Sequence, residues 1–334
     1  MKELNSFNWP VVGHKNISTF LQKSIVNNSL THAYLFLGAE GIGKFHVARA
    51  FGKTLLCESE TEARPCGKCS NCQQIDKGIH PDFYVLEREV SETTGKTKNN
   101  ITVNQVRDLQ EKIGKRAFLN SYKIVIIKEA EALNPEASNA LLKTLEEPTA
   151  KTIIIIIATS KENVLPTIVS RCQKFNFLPL TNLEIEEHLL KNGANQEEAR
   201  KLAAFAGGRP EVAIHLFSEK ENSAKIKEFN LEICDLVNKG LKERFKFAED
   251  MADDEDQLAE KLEKFIILLR DAILLKENND LVVNVDEIDK VKAVSEKYSI
   301  TKLKSLIEEL EKTKKYLKQN INAKVALENL LLNF

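Results

Sequence analysis

The sequence predicts an α/β fold, a largely parallel sheet with helices on both faces, followed by a second half made of helices alone. Three observations carry that expectation. Five short apolar segments alternate with amphipathic stretches up to residue 178, no convincing strand follows Leu178-Pro179-Leu180, and long charged and apolar periodic segments dominate from Pro210 onward.

The strands are expected at 33–37, 82–86, 123–127, 152–158 and 173–177, where Ile, Val, Leu and Phe cluster as they do in strands buried on both faces. Between them, 103–115 and 135–145 have helical spacing, which implies crossover helices. The polar run 90–100 is expected to be a mobile surface loop. Further on, 183–191 and 196–206 read as a small helical unit, the second helix ending at Gly207-Gly208. The segments 257–275 and 300–317 read as bundle helices, and Leu303, Leu306, Ile307, Leu310, Leu317 and Ile321 are expected to share one face. No repeat of 20 to 50 residues and no long low-complexity tract is present.

With 43% hydrophobic and 29% charged residues over 334 positions, the composition is that of a folded protein of two or three domains and excludes dominant disorder. The 48 basic and 49 acidic side chains nearly cancel, which excludes a domain that holds nucleic acid mainly through a strong basic field. Contact with DNA is therefore expected to be local or shared with partners. The first residues contain no secretory h-region and the longest apolar run, 153–158, is far short of a membrane span, so a cytoplasmic protein with no membrane partner is expected.

The strongest motif follows the first strand: Gly38-Ala39-Glu40-Gly41-Ile42-Gly43-Lys44-Phe45. Strand, glycine loop and helix are the setting of a phosphate-binding P-loop, in which Gly38, Gly41 and Gly43 let N–H groups face phosphate oxygens and Lys44 adds a full charge. An ordinary glycine-rich turn is the alternative. The residue after the lysine should bring a Ser or Thr hydroxyl to Mg²⁺, and here it is Phe45. The third strand should end in a metal-holding aspartate before a glutamate that positions water, yet Lys128 precedes Glu129. Two losses from one metal site predict a P-loop domain that has kept its scaffold and lost hydrolysis.

Cys57, Cys66, Cys69 and Cys72 are spaced so that four thiolates on turns can converge on one structural Zn²⁺, with reduced free thiols or a redox pair as the alternative. Cys172 and Cys234 read as small buried side chains. Arg171, between the fourth and fifth strands, is either a solvated surface arginine or one that crosses a subunit interface to a neighbour's γ-phosphate.

Several separated motifs agree on a family: 32–36 leading into the P-loop, the four-cysteine insert, Asn139-Ala140-Leu141-Leu142-Lys143-Thr144-Leu145-Glu146-Glu147-Pro148, and Ser170-Arg171-Cys172. Together they resemble the bacterial clamp-loader branch of the AAA+ ATPases over essentially the whole chain. The resemblance implies a RecA-like AAA+ P-loop module at 1–178 carrying the zinc insert 57–72, a helical lid at 179–209, and a C-terminal helical collar at 210–334 that joins subunits. It implies work on a sliding clamp and primed DNA beside gamma/tau and delta subunits of the DNA polymerase III clamp loader. Arg171 matches the family's arginine supplied in trans, Thr159 its sensor-1 position, and Arg209 the sensor-2 region unless it caps the preceding helix. Phe45 and Lys128 favour a non-hydrolysing subunit over the ATP-hydrolysing gamma/tau type. The end at Phe334 is expected to leave no room for a polymerase-binding extension. Whether ATP still enters the altered loop stays open.

Overall fold

The computed structural model describes residues 7–59, 63–91, 97–115, 122–218, 223–236, 238–253, 255–277, 282, 288–318 and 321–334. By proximity the chain divides into two compact units, 1–188 with 207–212 and 189–206 with 213–334.

In chain order the first part runs α1 (Lys15–Val26), β1 (Ala33–Leu37), α2 (Lys44–Leu56), α3 (Ser70–Asp76), β2 (Phe83–Leu86), α4 (Val103–Gly114), β3 (Lys123–Ile127), α5 (Pro135–Glu146), β4 (Thr152–Ala158), α6 (Pro166–Val169) and β5 (Gln173–Asn176). The helices that follow are α7 (Asn182–Lys191), α8 (Gln196–Ala206), α9 (Pro210–Ser218), α10 (Ser223–Leu236), α11 (Leu241–Asp253), α12 (Glu255–Lys276), α13 (Ile288–Lys297), α14 (Ile300–Lys318) and α15 (Ala323–Leu332).

The five strands form one parallel sheet in the order β2-β3-β4-β1-β5. Every residue of β1, β3 and β4 is buried, as continuous apolar runs require. The two faces separate by parity. Leu35, Val125, Ile127, Ile154 and Ile156 pack with Val106, Leu109, Leu141 and Leu145 of α4 and α5. Their neighbours Tyr34, Phe36, Ile124, Ile126, Ile153 and Ile155 pack with Leu21, Val47 and Phe51 of α1 and α2. Helix α2 lies against the sheet at Gly52, where a methyl group would sit 2.7 Å from the Ile124 Cγ2 atom and 2.9 Å from Phe83 Cε2.

Local chemistry fixes the helix ends. The Thr102 hydroxyl accepts from the Gln105 amide while the Gln105 side chain accepts from the Thr102 N–H, a capping box. Asn134 caps α5 through the Ala137 N–H at 2.7 Å, with Pro135 pre-set at the first turn. At the other end of α4, the buried Lys123 ammonium donates to the carbonyls of Ile113 and Lys115.

The expected strands and helices occupy their places, and two expectations need comment. Of the run 90–100, residues 92–96 lie outside the described residues, and the flanking Val90 and Thr97 form an antiparallel bridge. In the bundle, Leu303, Leu306 and Leu310 are fully buried and Ile307 and Leu317 pack against them, but Ile321 is 42% exposed. Helix α14 ends at Lys318, so Ile321 no longer follows its periodicity. The core of this second unit comes from α10 to α15, including Ile233, Met251, Phe265, Leu306 and Leu330.

Candidate functional site

A parallel sheet offers ligands the crevice beyond the carboxyl ends of its strands, at the point where strand order reverses. Here that point lies past β1, flanked by β4 and β5. Gly38, Gly41 and Gly43 have φ of 150°, 74° and 98°, and a methyl group on Gly38 would stand 2.5 Å from the Phe177 carbonyl oxygen. These glycines are what let the loop fold over its own helix. Lys44 opens α2 and is 6% exposed, its ammonium donating to the carbonyls of Gly38 and Ala39. Burial pushes its pKa down, against the opposing charges of Glu131, Glu40 and Glu211. His14, itself left-handed at φ 51°, donates from Nε2 to the Ile42 carbonyl at 2.7 Å, and burial lowers its pKa.

The loop forms one wall of a cavity of about 470 Å³ that also contains Phe45, Glu87, Arg88, Lys128 and Glu129. Three of these were legible from the motif; Glu87 and Arg88 were not. Glu129, at φ 51°, is gripped by the Arg88 guanidinium through two bonds, Nε to Oε2 at 2.7 Å and a terminal nitrogen to Oε1 at 2.9 Å. This is the bidentate fork, and it holds the Arg88 pKa above its usual value. Lys128 pairs with Glu87 at 2.7 Å and its ammonium lies 4.3 Å from the centre of the Phe45 ring. The only signal in the sequence was the charged triplet Glu87-Arg88-Glu89 directly after a neighbouring strand.

A phenyl ring and an ammonium give Mg²⁺ nothing to bind, and the ammonium repels it. At these two positions, therefore, the side chains present do not fit the metal that a working P-loop holds there. Thr159 donates from its hydroxyl to Glu131 Oε1 at 2.8 Å. Arg209 lies just before α9, with its Cβ 3.6 Å from where a methyl group on Gly41 would project.

Arg171 stands apart from this cavity. It precedes β5, whose Gln173 pairs with Tyr34 near the start of β1, whereas the P-loop begins after Leu37. At roughly 3.3 Å per residue, Gln173 lies about 13 Å from the start of the loop along the strands, and Arg171 lies beyond it, at the opposite end of the sheet. Its guanidinium donates to Glu146 Oε1 at 2.5 Å and to the Thr167 carbonyl at 2.9 Å. Cys172 beside it is buried, which pushes its thiol up to about 12.

The four insert cysteines do converge: the sulfurs of Cys57, Cys66, Cys69 and Cys72 all lie within 4.8 Å of one another. The N–H groups of Cys66, Cys69 and Cys72 each donate to the sulfur of the preceding cysteine of the set at 3.4 Å. Backbone bonds from Lys68 and Cys69 pull the Cys66 thiol down to about 7, while burial pushes Cys57 and Cys72 up. Four soft donors with two desolvated members fit a cation that neutralises them. The knuckle is also tied to the sheet domain without metal, by Asn71 to the Leu56 carbonyl at 2.8 Å and Asp76 to Lys53 at 2.6 Å.

Among the described residues, no helix is long and apolar enough to cross a membrane. A family model described as DNA polymerase III, delta subunit, matches residues 13–181, and one for its C-terminal part matches 237–334. A DNA polymerase III subunit delta' from Bacillus subtilis is 28% identical over 95% of this chain and 94% of the relative. The subunit delta' of Pseudomonas aeruginosa is 36% identical over 64% of this chain and 62% of its own length, so that match spans less than two thirds of the relative. A subunit tau from Bacillus subtilis is 37% identical over 52% of this chain and 30% of the relative. Among solved structures, a gamma subunit-related protein from Thermotoga maritima superposes with a TM-score of 0.42 at 15% identity, over 95% of this chain and 97% of that one.

Proposed function

We propose, because the chain belongs to the DNA polymerase III delta-subunit family of bacterial clamp-loader proteins, that it is a non-hydrolysing subunit of that assembly. In this reading it helps open a sliding clamp and place it on primed DNA in the cytoplasm, beside gamma/tau and delta subunits. Residues 1–178, 179–209 and 210–334 act as the nucleotide-fold module, lid and collar.

The observation that carries the reading is the contact between Phe45 and Lys128 at 4.3 Å. Both positions that should hold Mg²⁺ are spent on each other. Glu129, the residue expected to position water, is supported in the same silent role by its two bonds to Arg88. Arg171 is the residue through which the chain contributes to catalysis: it stabilises charge developing on a neighbouring subunit's γ-phosphate, and Glu146 aims it. Its place at the sheet end away from its own P-loop supports action in trans.

Steady-state ATP hydrolysis by the purified chain with Mg²⁺, against Lys44→Ala, tests the reading. No turnover above the control is expected. Turnover that depends on Lys44 would favour the gamma/tau-type alternative. The four cysteines hold structural Zn²⁺ in this proposal, and metal analysis should return one zinc per chain, lost in Cys72→Ser. Chelation should loosen the knuckle before the sheet; cooperative melting of the whole module would contradict this.

A further inference from the structure

The two altered positions of the phosphate loop are not independent. In a metal-holding site, the side chains after the loop lysine and at the end of the third strand converge on one divalent ion. In this chain they converge on each other: the Lys128 ammonium lies 4.3 Å from the centre of the Phe45 ring. A cation facing an aromatic ring is an attractive pair, so each change compensates the other. The consequence is positional. A positive charge, covalently attached, stands beside the side chain that should have ligated the metal.

We propose that Lys128 is the built-in cation of this site, and that the cavity takes a polyphosphate chain free of divalent metal. The phosphates rest on the first turn of α2, where the cap, Gly43, brings no side chain to the N–H groups. Lys44 and Lys128 flank them in the same cavity of about 470 Å³. Of the four carboxylates that line the cavity among the described residues, Glu40 is exposed and the other three are paired with basic side chains. Both oxygens of Glu129 are engaged by Arg88, and Glu211 meets His46 at 2.9 Å. Glu87, the partner of Lys128, is 54% exposed, so water screens that pair and a phosphate oxygen can replace it. Lys44 exchanges the carbonyls of Gly38 and Ala39 for phosphate oxygens. The proposal rests on the non-hydrolysing reading and deepens it: ATP turnover by the chain would sink that reading, whereas failure of metal-free binding sinks only this inference.

The test is calorimetric titration of the full chain with ATP and, separately, with inorganic tripolyphosphate, at fixed ionic strength, in EDTA and in excess Mg²⁺. Binding is expected in EDTA, with Mg²⁺ weakening it or leaving it unchanged. Lys128→Met should weaken binding in EDTA by about tenfold or more, as loss of a charge-assisted contact does. Glu87→Gln, which removes the competitor for the ammonium, should tighten it. Tripolyphosphate binding as tightly as ATP would identify the phosphate chain as the whole ligand; tighter binding of ATP would add the nucleoside to it. Binding that requires Mg²⁺, or no binding of either anion in EDTA, overturns the proposal.

Discussion

Two arginine–glutamate pairs stand at opposite ends of one sheet and are built differently. At the carboxyl end, Arg88 spends Nε and a terminal nitrogen on both oxygens of Glu129. At the amino end, Arg171 gives Glu146 a single terminal nitrogen and the Thr167 carbonyl the other. The first arrangement fixes the whole fork on one carboxylate; the second ties the guanidinium to the end of α5 and to α6, just before β5. The difference lies in where the bonds go: the Arg88 fork falls on one carboxylate, while Arg171 divides its nitrogens between a carboxylate and a backbone carbonyl.

Removing Arg171 should have the largest effect. ATP turnover by the assembled complex is expected to fall about a thousandfold in Arg171→Ala, the lower range for an arginine finger, while the isolated chain melts as before. Unchanged turnover would break the contrast between the two ends. Glu146→Ala should keep the arginine but lose its aim, lowering turnover by roughly tenfold to a hundredfold. An effect as large as that of Arg171→Ala would mean Glu146 does more than orient.

At the carboxyl end the expectation reverses. Arg88→Ala and Glu129→Ala should leave turnover of the complex untouched and each destabilise the chain by about 1 kcal/mol, since the pair is only partly buried. The double variant should cost no more than either alone in a double-mutant cycle; simple additivity would show that the fork carries no coupling. The smallest effect is in pH. His14, bonded to the phosphate loop, has its folded pKa below 6.5, because burial disfavours the imidazolium. The unfolded chain therefore binds the proton more readily, so this share of stability is present above the unfolded value and is lost as pH falls through the folded one. Denaturant midpoints in His14→Gln should fall less steeply below that value than in the parent; identical slopes would remove His14 from the account.

Much of this was legible in advance because the fold is written in local patterns. Strands buried on both faces must be continuous apolar runs, so 123–127 and 152–158 were identified to the residue. The P-loop and the cysteine set announce themselves because their chemistry needs particular residues at short spacing. Ile321 misled because helical periodicity says which face a residue would take, and not where the helix stops. The Arg88–Glu129 fork was illegible for another reason: its partners are 41 residues apart and meet only because β2 pairs with β3. The Phe45–Lys128 contact likewise joins α2 to the end of β3, and only strand order brings those ends together.

Strand β4 has a consequence for how the chain is made. Its run of isoleucines at 153–157 is uncharged, free of proline and strongly β-forming, the signature of a segment that pairs with copies of itself when left uncovered. In the finished sheet it lies between β1 and β3, with Ile154 opposite Ala33. That partner precedes it by more than a hundred residues, a long closure that slows assembly relative to local contacts. In chain order, β1 cannot gain this central partner until β4 has been made. Nascent chains that end soon after β4 has left the ribosome should aggregate more readily than chains that end before β4.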